Sequence, residues 1–213
     1  MSWAYGQQIW DYLYGFIGNE YGVSALMGNM ISESQLLPFI KQGNVAPPWN
    51  PSLEYSADVN DGTISENTFV HDGIGYGLCQ WTISSRKQGL YNKCMKPTYH
   101  GIDNITYQLM FIEEELTGDY SSTLSVLQNA TQSTLWDATV YVLQHYEGPL
   151  DQGYEERLER YNNAIEVYDT YSGQGPIPPE PPDPPVPPTP TGHNGMPLYF
   201  YMGKKFKRKK GLL

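Results

Sequence analysis

Ten of the chain's seventeen prolines fall within residues 176–190. Proline fixes its own φ and has no backbone N–H, so a segment this rich in proline is typical of a polyproline II spacer. We therefore predict three parts in the 213-residue chain: a folded domain over residues 1–172, a proline-rich linker over residues 173–192, and a short C-terminal peptide over residues 193–213. The first part is long enough to bury a core of its own.

Charge divides along nearly the same boundaries. Residues 1–175 carry 7 basic and 21 acidic residues, whereas residues 193–213 carry six basic residues and no acidic one. An acidic domain argues against a nucleic-acid substrate, so we expect none. The basic end also holds an apolar and aromatic run, MPLYFYMG, over residues 196–203. We interpret this end as a peptide that docks on a larger assembly; binding to an anionic wall or membrane surface, or weakly to nucleic acid, is the alternative.

The sequence shows neither a targeting signal nor a metal motif. The N-terminus has no basic region followed by an apolar run, and no stretch approaches the ~20 apolar residues of a membrane span. Cys79 and Cys94 are the only cysteines. We interpret them as thiols kept reduced in the cytoplasm where the chain is made, with one disulfide as the alternative. Because CxxC, HExxH and paired-His spacings are absent, we expect no metal and no cofactor.

Apolar periodicity predicts a mostly helical first part. The predicted helices cover residues 7–18, 23–35, 84–96, 105–116, 122–129, 133–146 and 154–170. Residues 38–72 read as a long irregular stretch with proline and Asn-Asp-Gly turns. Residues 73–82 alternate glycine with larger side chains, which is typical of a strand or hairpin arm. The predicted fold class is therefore α+β, mostly α, with one small β-hairpin.

A single carboxylate ends the second predicted helix. Residues 27–34 read MGNMISES, so Glu33 follows an apolar helix face and lies at the helix C-terminus. Breaking a glycosidic bond requires a carboxyl that stays protonated until it gives its proton to the leaving oxygen, and apolar burial and a helix C-terminus both favour that state. An ordinary solvated glutamate is the alternative.

Gly28 lies within the same predicted helix. Glycine inside a helix costs up to ~1 kcal/mol relative to alanine, so its presence indicates the close approach of another backbone.

Residues 75–82, GYGLCQWT, form a second candidate element of a site. Glycines allow a substrate ring to approach the backbone, and the amide of Gln80 offers both donors and an acceptor. These features suit the wall of a sugar-binding cleft. A buried strand whose glycines serve packing alone is the alternative interpretation.

Three segments follow one another in an order that resembles a known family. The Glu33–Ser34 pair, then GLCQ at residues 77–80, then YEGP at residues 146–149 occur in the order seen in goose-type lysozymes and lytic transglycosylases. The chain most closely resembles the phage tail lysozyme family, the virion-borne peptidoglycan hydrolases of phages. The resemblance covers roughly residues 7–170 and departs from the family at Gly148, where arginine is common.

The resemblance implies a lysozyme-like domain that cleaves the N-acetylmuramic acid–N-acetylglucosamine backbone of peptidoglycan, with Glu33 as the general acid. The residues implied to line the sugar subsites are Tyr76, Gln80 and Trp81, and Tyr146 is implied to pack against the catalytic carboxyl. The candidate second carboxylates are Asp72, which lies just before the predicted strand, and Glu147. A structural ion pair with Arg157 or Arg160 is the alternative role for Glu147.

The function predicted from this resemblance is that of a virion-associated peptidoglycan hydrolase at a phage tail tip. We expect the chain to be made in the host cytoplasm, to act on the host wall, and to contact tail or baseplate proteins through residues 193–213. A free endolysin and a catalytically inactive glycan-binding tail component are the alternatives. Hydrolysis and lytic transglycosylation both remain open, because only an inverting hydrolase requires a second carboxylate to activate water.

Overall fold

The computed structural model describes residues 3–44, 46–96, 100–149 and 152–173. Residues 174–213, which include nearly all of the predicted linker and the whole predicted docking peptide, lie outside the described residues. The α-helices of the described part are α1 (Gly6–Ile17), α2 (Glu20–Ser34), α3 (Asn50–Asp61), α4 (Glu66–His71), α5 (Ser84–Met95), α6 (Ile105–Thr117), α7 (Ser121–Gln128), α8 (Leu135–Val142) and α9 (Tyr154–Tyr171). A 3-10 turn (Gln132–Thr134) precedes α8, and a π-helix (Leu143–Glu147) follows it.

Helix α2 forms the centre of the core. Every residue from Gly22 to Ile31 is buried, as expected of a helix that is covered on all sides. The helix packs most extensively against α9 and also contacts α8, α7 and α1. Its N-terminus is capped by Asn19, whose side chain accepts a hydrogen bond from the backbone N–H of Gly22 at 3.0 Å. Packing against these helices positions α2, whose C-terminal end carries Glu33.

Gly28 allows α2 and α9 to touch backbone to backbone. A Cβ atom at this position would lie 2.6 Å from Ala164 N and 2.7 Å from Arg160 O. Both are backbone atoms of α9, which cannot move aside as the end of a flexible side chain can. The close approach predicted from the sequence is therefore confirmed, and glycine at this position is a packing requirement.

The region expected to be irregular contains two helices, α3 and α4. Pro51 lies in the first turn of α3, where proline is well tolerated, and Ser65 caps α4 by accepting from the N–H of Thr68. Tyr55 and Phe69 anchor the two helices in the core. These helices are short and largely exposed, so their apolar periodicity is weak and tertiary packing decides their conformation.

The predicted β-hairpin is corrected by the structure, because the described residues contain no strand at 73–82. Tyr76 and Trp81 form an isolated antiparallel bridge, with Tyr76 N donating to Trp81 O at 3.2 Å and Trp81 N donating to Tyr76 O at 3.0 Å. A further bridge joins Tyr76 to Lys41. Only residues 77–80 lie between the paired positions. The segment is therefore a tight turn within a helical domain.

Two buried side chains attach this turn to the helices. The Oε1 atom of Gln108 accepts a hydrogen bond from Leu78 N at 3.0 Å, while its Nε2 donates to Pro38 O and Ile102 O at 2.7 and 2.9 Å. Ser34, the last residue of α2, donates its Oγ to Leu78 O at 2.9 Å. These bonds place the second sequence motif beside the first.

The two cysteines, Cys79 and Cys94, are free thiols in the core. Burial raises the pKa of the Cys94 thiol to about 12 and that of Cys79 well above its ordinary value. Both therefore remain neutral, which is the unreactive form. Within the described ranges, no helix is both long and apolar enough to cross a membrane.

We predict that Gly28→Ala lowers the free energy of unfolding by about 1–3 kcal/mol, because the added Cβ overlaps the backbone of α9. Gly15→Ala is the matched control: Gly15 also lies within a helix, but a Cβ there meets no atom within 4 Å. We expect the control to gain about 0.5–1 kcal/mol. Denaturant unfolding of the full chain measures both changes, and an equally stable Gly28→Ala variant would contradict the proposed packing.

Candidate active site

A cavity of about 580 Å³ opens where the three sequence motifs meet. Its volume falls within the range of ~300–1,000 Å³ that is usual for ligand sites. The lining residues are Glu33 from the first motif, Cys79, Gln80 and Thr82 from the second, Glu147, Gly148 and Pro149 from the third, and Gln42, Gly43, Ile83 and Arg86 from other segments.

Glu33 reaches the cavity from the C-terminal end of α2, with its side chain 16% exposed. Its Oε1 atom accepts a hydrogen bond from Arg160 Nη2 at 2.7 Å. Arg160 is buried on α9, where its Nη1 donates to both Asn29 O and Asn29 Oδ1 and its Nε donates to Glu156 Oε1. Because the guanidinium has several fixed acceptors, it holds the Glu33 carboxylate in one orientation.

Glu147 is the second carboxyl of the cavity. It is the last residue of the π-helix, a rare conformation that often occurs at functional sites. Its Oε1 atom is buried and has no hydrogen-bond partner among the described residues. Burial raises the pKa of Glu147 well above its ordinary range and the negative charge of Glu33 raises it further, whereas Arg86 and Arg160 act in the opposite direction. The protonated, neutral form of Glu147 is therefore favoured.

The structural ion pair considered for Glu147 is not formed in the described contacts. Arg160 pairs instead with Glu33 and Glu156. Arg157 donates its Nε to the backbone oxygen of Gln152 at 2.8 Å. Glu147 thus faces the cavity without a cation of its own.

A buried charge cluster fixes the chain next to Glu147. Arg86 on α5 donates its Nε and Nη2 to the two carboxylate oxygens of Glu115 at 2.6 and 2.9 Å, and its Nη1 donates to Tyr146 O at 3.0 Å. Glu115 Oε2 also accepts from Tyr146 Oη at 2.7 Å and from Trp81 Nε1 at 3.0 Å. Since Tyr146 immediately precedes Glu147, these bonds determine where the second carboxyl lies.

Three aromatic residues expected to contact sugar or the catalytic carboxyl occupy the core instead. Tyr76 and Trp81 have no exposed surface, and Tyr146 is 2% exposed. The Tyr76 hydroxyl lies 2.6 Å from Ser56 Oγ, whereas Trp81 and Tyr146 both donate to Glu115 rather than to Glu33. A ring that is completely buried cannot stack on a sugar, so the expected sugar contacts of Tyr76 and Trp81 are corrected to supporting positions in the core.

Gln80 is the residue among the predicted sugar-binding set that lines the cavity. Its backbone has φ +44°, a left-handed conformation that is unfavourable for a residue with a side chain and that tends to occur at functional sites. The Nε2 atom donates to Ile40 O at 3.0 Å and to Gly77 O at 3.1 Å. These two bonds orient the side-chain amide at the cavity wall.

Asp72 is not among the residues that line the cavity. One of its carboxylate oxygens accepts from the buried ammonium of Lys87, and the other accepts from the Tyr55 hydroxyl. Asp72 therefore links α3 to α5 as a structural anchor. Of the two candidate second carboxylates, Glu147 is the one that the fold brings together with Glu33.

Two residues of the site, Arg86 and Glu115, are not among those predicted from the sequence. Glu115 occupies the buried stripe of α6 at the spacing of Gln108, Phe111 and Ile112. A carboxylate on the buried face of a helix indicates a buried negative charge, which requires a cation or hydrogen-bond donors nearby. That partner, Arg86, lies 29 positions away, and local sequence patterns give no indication of the pairing.

The chemistry available in this cavity is acid–base chemistry by two carboxyls. One carboxyl, that of Glu33, is held by a guanidinium, and the other, that of Glu147, favours the neutral state. In the described ranges, no group of three or more His, Cys, Asp and Glu side chains converges as metal ligands do. Two carboxyls in different states of ionisation are what glycosidic bond cleavage uses.

A family model described as Phage tail lysozyme matches residues 5–171. The match covers most of the chain and includes all three motifs. The resemblance inferred from those motifs is thereby confirmed. No curated protein matches the chain in sequence.

We predict that Glu147→Gln stabilises the folded state increasingly as the pH rises. The unfolded chain releases the Glu147 proton near the ordinary value of 4.5, whereas the folded protein retains it to a higher pH. Between those two values the wild type loses up to about 1.4 kcal/mol of stability per pH unit, because the folded state binds more protons than the unfolded state. Glutamine has no such proton, so the variant does not suffer this loss.

Thermal unfolding of the full chain between pH 5 and pH 9 measures this difference. Glu159→Gln, a change at an exposed position on α9, is the control for loss of one negative charge. We expect the midpoint of Glu147→Gln to exceed that of the wild type by an amount that grows with pH. A difference that stays constant across the range would show that Glu147 titrates as an ordinary glutamate.

Proposed function

The chain belongs to the phage tail lysozyme family, and from this premise we propose that it cleaves the glycan backbone of bacterial peptidoglycan in the cavity that holds Glu33 and Glu147. Membership of the family indicates a peptidoglycan-lytic role in a phage. The observation that supports the specific reaction is the meeting of two carboxyls in one cavity, one held by Arg160 and one whose pKa is raised by burial.

The cavity wall offers both kinds of contact that a glycan strand needs. Gln42, Gln80 and Thr82 present amide and hydroxyl groups, which bond to sugar hydroxyls and N-acetyl groups. Ile83, 63% exposed at the edge of the cavity, supplies apolar surface for a sugar face or an acetyl methyl group. We infer that specificity for N-acetylated sugars arises from this combination.

Cleavage then follows the two-carboxyl chemistry of glycosidases. One carboxyl protonates the glycosidic oxygen as its bond to C1 breaks, and the other faces the positive charge that develops on C1. Glu33 is proposed as one member of this pair, because Arg160 holds it at the cavity wall. A lytic transglycosylase uses the sugar's own hydroxyl and needs one carboxyl, so the presence of a second favours hydrolysis by water.

We also propose that the enzyme is carried on the phage particle at its tail tip and acts at entry. The family's description supports a tail association. The proline-rich residues 173–192 would act as a semi-rigid spacer, and the basic, aromatic residues 193–213 would bind tail or baseplate proteins. A fixed particle requires such reach if its enzyme is to contact the wall, whereas a freely diffusing endolysin does not.

We predict that Glu33→Gln lowers the rate of wall digestion by at least ~100-fold, because it removes a carboxyl without changing side-chain size. The assay uses the full chain on purified peptidoglycan, with muropeptides identified by mass, and Glu159→Gln as the exposed control. New reducing ends indicate hydrolysis, and 1,6-anhydro ends indicate transglycosylation. Equal digestion by Glu33→Gln would overturn the role of Glu33, and inactivity of the wild type on suitable walls would favour a glycan-binding component.

We predict that the protein copurifies with intact phage particles and that deleting residues 193–213 removes it from them. The deletion should leave the wall-digesting activity of the purified protein unchanged within about twofold, because the residues of the cavity are untouched. Mass spectrometry of purified particles measures the first effect, and immunogold labelling locates the protein on the tail. Its presence in the lysate but not on particles would instead identify a free endolysin.

A further inference from the structure

We propose that a charged groove along α5 and α6 binds the peptide stem of peptidoglycan and that Asp119 pairs with the free amine of that stem. This inference rests on the proposed glycosidase function and adds a preference for stems that are not cross-linked. Each N-acetylmuramic acid carries its stem on a lactyl group. A glycan strand bound in the cavity of Glu33 therefore brings a stem to the edge of that cavity.

Three hollows adjoin one another on this side of the domain. The cavity of Glu33 shares Arg86 with a second hollow of about 370 Å³, which in turn shares Gly89 and Glu114 with a third of about 350 Å³. Arg86, Gly89 and Lys93 are spaced by three and four positions, so they lie on one face of α5. The second and third hollows together form what we call the side groove, which begins at the cavity and follows α5.

The floor of the side groove is preformed. Arg86, at the boundary with the cavity, lies 5.1 Å from the centre of the Tyr120 ring, which stacks on its guanidinium. Phe111 packs so closely on Gly89 that a Cβ there would lie 2.6 Å from the ring. Both rings line the second hollow. They offer apolar surface to the aliphatic parts of a bound peptide.

Charge in the second hollow is not balanced. The carboxylate of Glu115 pairs with Arg86, and that of Glu114 pairs with Lys93. Asp119 is exposed between α6 and α7 and forms no ion pair within the described part of the chain. One negative charge is therefore left over at the wall of this hollow, and it attracts a cation.

The third hollow carries ammonium groups. Lys93 and Lys96 line it, with side chains 27% and 52% exposed. Along the side groove, an uncompensated acid thus lies near the cavity and two partly exposed bases lie farther away. Neutral sugars gain little from such charges, whereas a peptide with an amine and a terminal carboxylate matches both signs.

The order and length of the peptide stem fit this arrangement. The stem carries a primary amine on its third residue and a free carboxylate at its end. Three extended residues span ~10 Å at ~3.3 Å each. Arg86 and Lys93 are also ~10 Å apart along α5 at ~1.5 Å per residue. The amine therefore reaches the hollow of Asp119, and the terminal carboxylate reaches that of Lys93.

Cross-linking removes the group that Asp119 recognises. A cross-link between stems converts the free amine into an amide, which carries no charge. The side groove therefore favours strands whose stems are not cross-linked. Chemical acetylation of the amine has the same effect on its charge and supplies a direct test.

The test crosses a chemical change in the substrate with a change in the enzyme. Soluble, un-cross-linked strands are prepared with free stem amines, with acetylated amines, and with the stems removed by an amidase. KM and kcat are measured for the full-length wild type, Asp119→Asn and the control Asp169→Asn. Asp169 is an exposed residue of α9 and lies outside the lining of the three hollows.

We expect acetylation to raise the wild-type KM about two- to fivefold, the range for one exposed ion pair, with kcat unchanged. Asp119→Asn should show that rise already with free amines and no further rise on acetylation, because both changes remove the same contact. Asp169→Asn should respond like the wild type. An equal response to acetylation in wild type and Asp119→Asn, or no response in either, would overturn the pairing.

A second variant tests the side groove as a whole. Ser85 is exposed and lines the second hollow, so Ser85→Trp fills it without replacing a buried side chain. Ser84→Trp, at the exposed first position of α5, is the matched control. Relative to this control, Ser85→Trp should raise the KM for stem-bearing strands at least as much as Asp119→Asn does, and the two variants should be equal on stem-free strands.

The stem-free strands separate the possible failures. If Ser85→Trp impairs them as strongly as the stem-bearing strands, the side groove holds sugars and the proposal is overturned. If the wild type has the same KM for stem-bearing and stem-free strands, the proposal is also overturned while the glycosidase function stands. A wild type that digests none of the three substrates would instead refute the proposed function.

Discussion

Direct backbone contact between α2 and α9 is the constraint on which the site depends. Gly28 permits the contact, which places Arg160 beside α2 where it bonds to Asn29 and to Glu33. Ser34 then joins the end of α2 to the turn of the second motif. The first motif is therefore one structural unit in which each polar residue has a specific partner, and Glu33 is the member whose carboxylate reaches the cavity.

A second buried ion pair positions the backbone that carries Glu147, whereas Arg160 binds the Glu33 carboxylate itself. Glu115 and Arg86 bind each other through two hydrogen bonds and also hold Trp81 and Tyr146. Desolvation offsets much of the Coulombic gain of such a pair, so its contribution to stability is modest compared with the cost of removing one partner. We interpret the cluster chiefly as a positioning device, because it determines the path of the chain that presents the second carboxyl.

The sequence predicted the large helices well because their signal is local. Apolar spacing located α1, α2, α6 and α9, and the order of three short motifs indicated the family. Alternating glycines at 73–82 gave the pattern of a strand. Hydrogen bonds with Gln108 and Ser34 instead hold that segment in a turn. The pairings of Arg160 with Glu33 and of Arg86 with Glu115 join residues far apart in the chain, and only the folded structure reveals them. Burial likewise depends on the whole fold. The aromatic residues of the motifs, which we predicted to line the cleft, therefore lie in the core.

The ionisation of Glu147 is the property on which the account of the site depends most directly. Carbon-13 NMR of the side-chain carboxyls, followed from pH 4 to pH 9 in the wild type and assigned with Glu147→Gln, measures it site by site. We expect the pKa of the Glu147 carboxyl to lie well above its ordinary value, and we expect it to decrease in Glu33→Gln because the neighbouring negative charge is removed. A Glu147 resonance that titrates near 4.5 in the wild type and does not respond to Glu33→Gln would contradict the account.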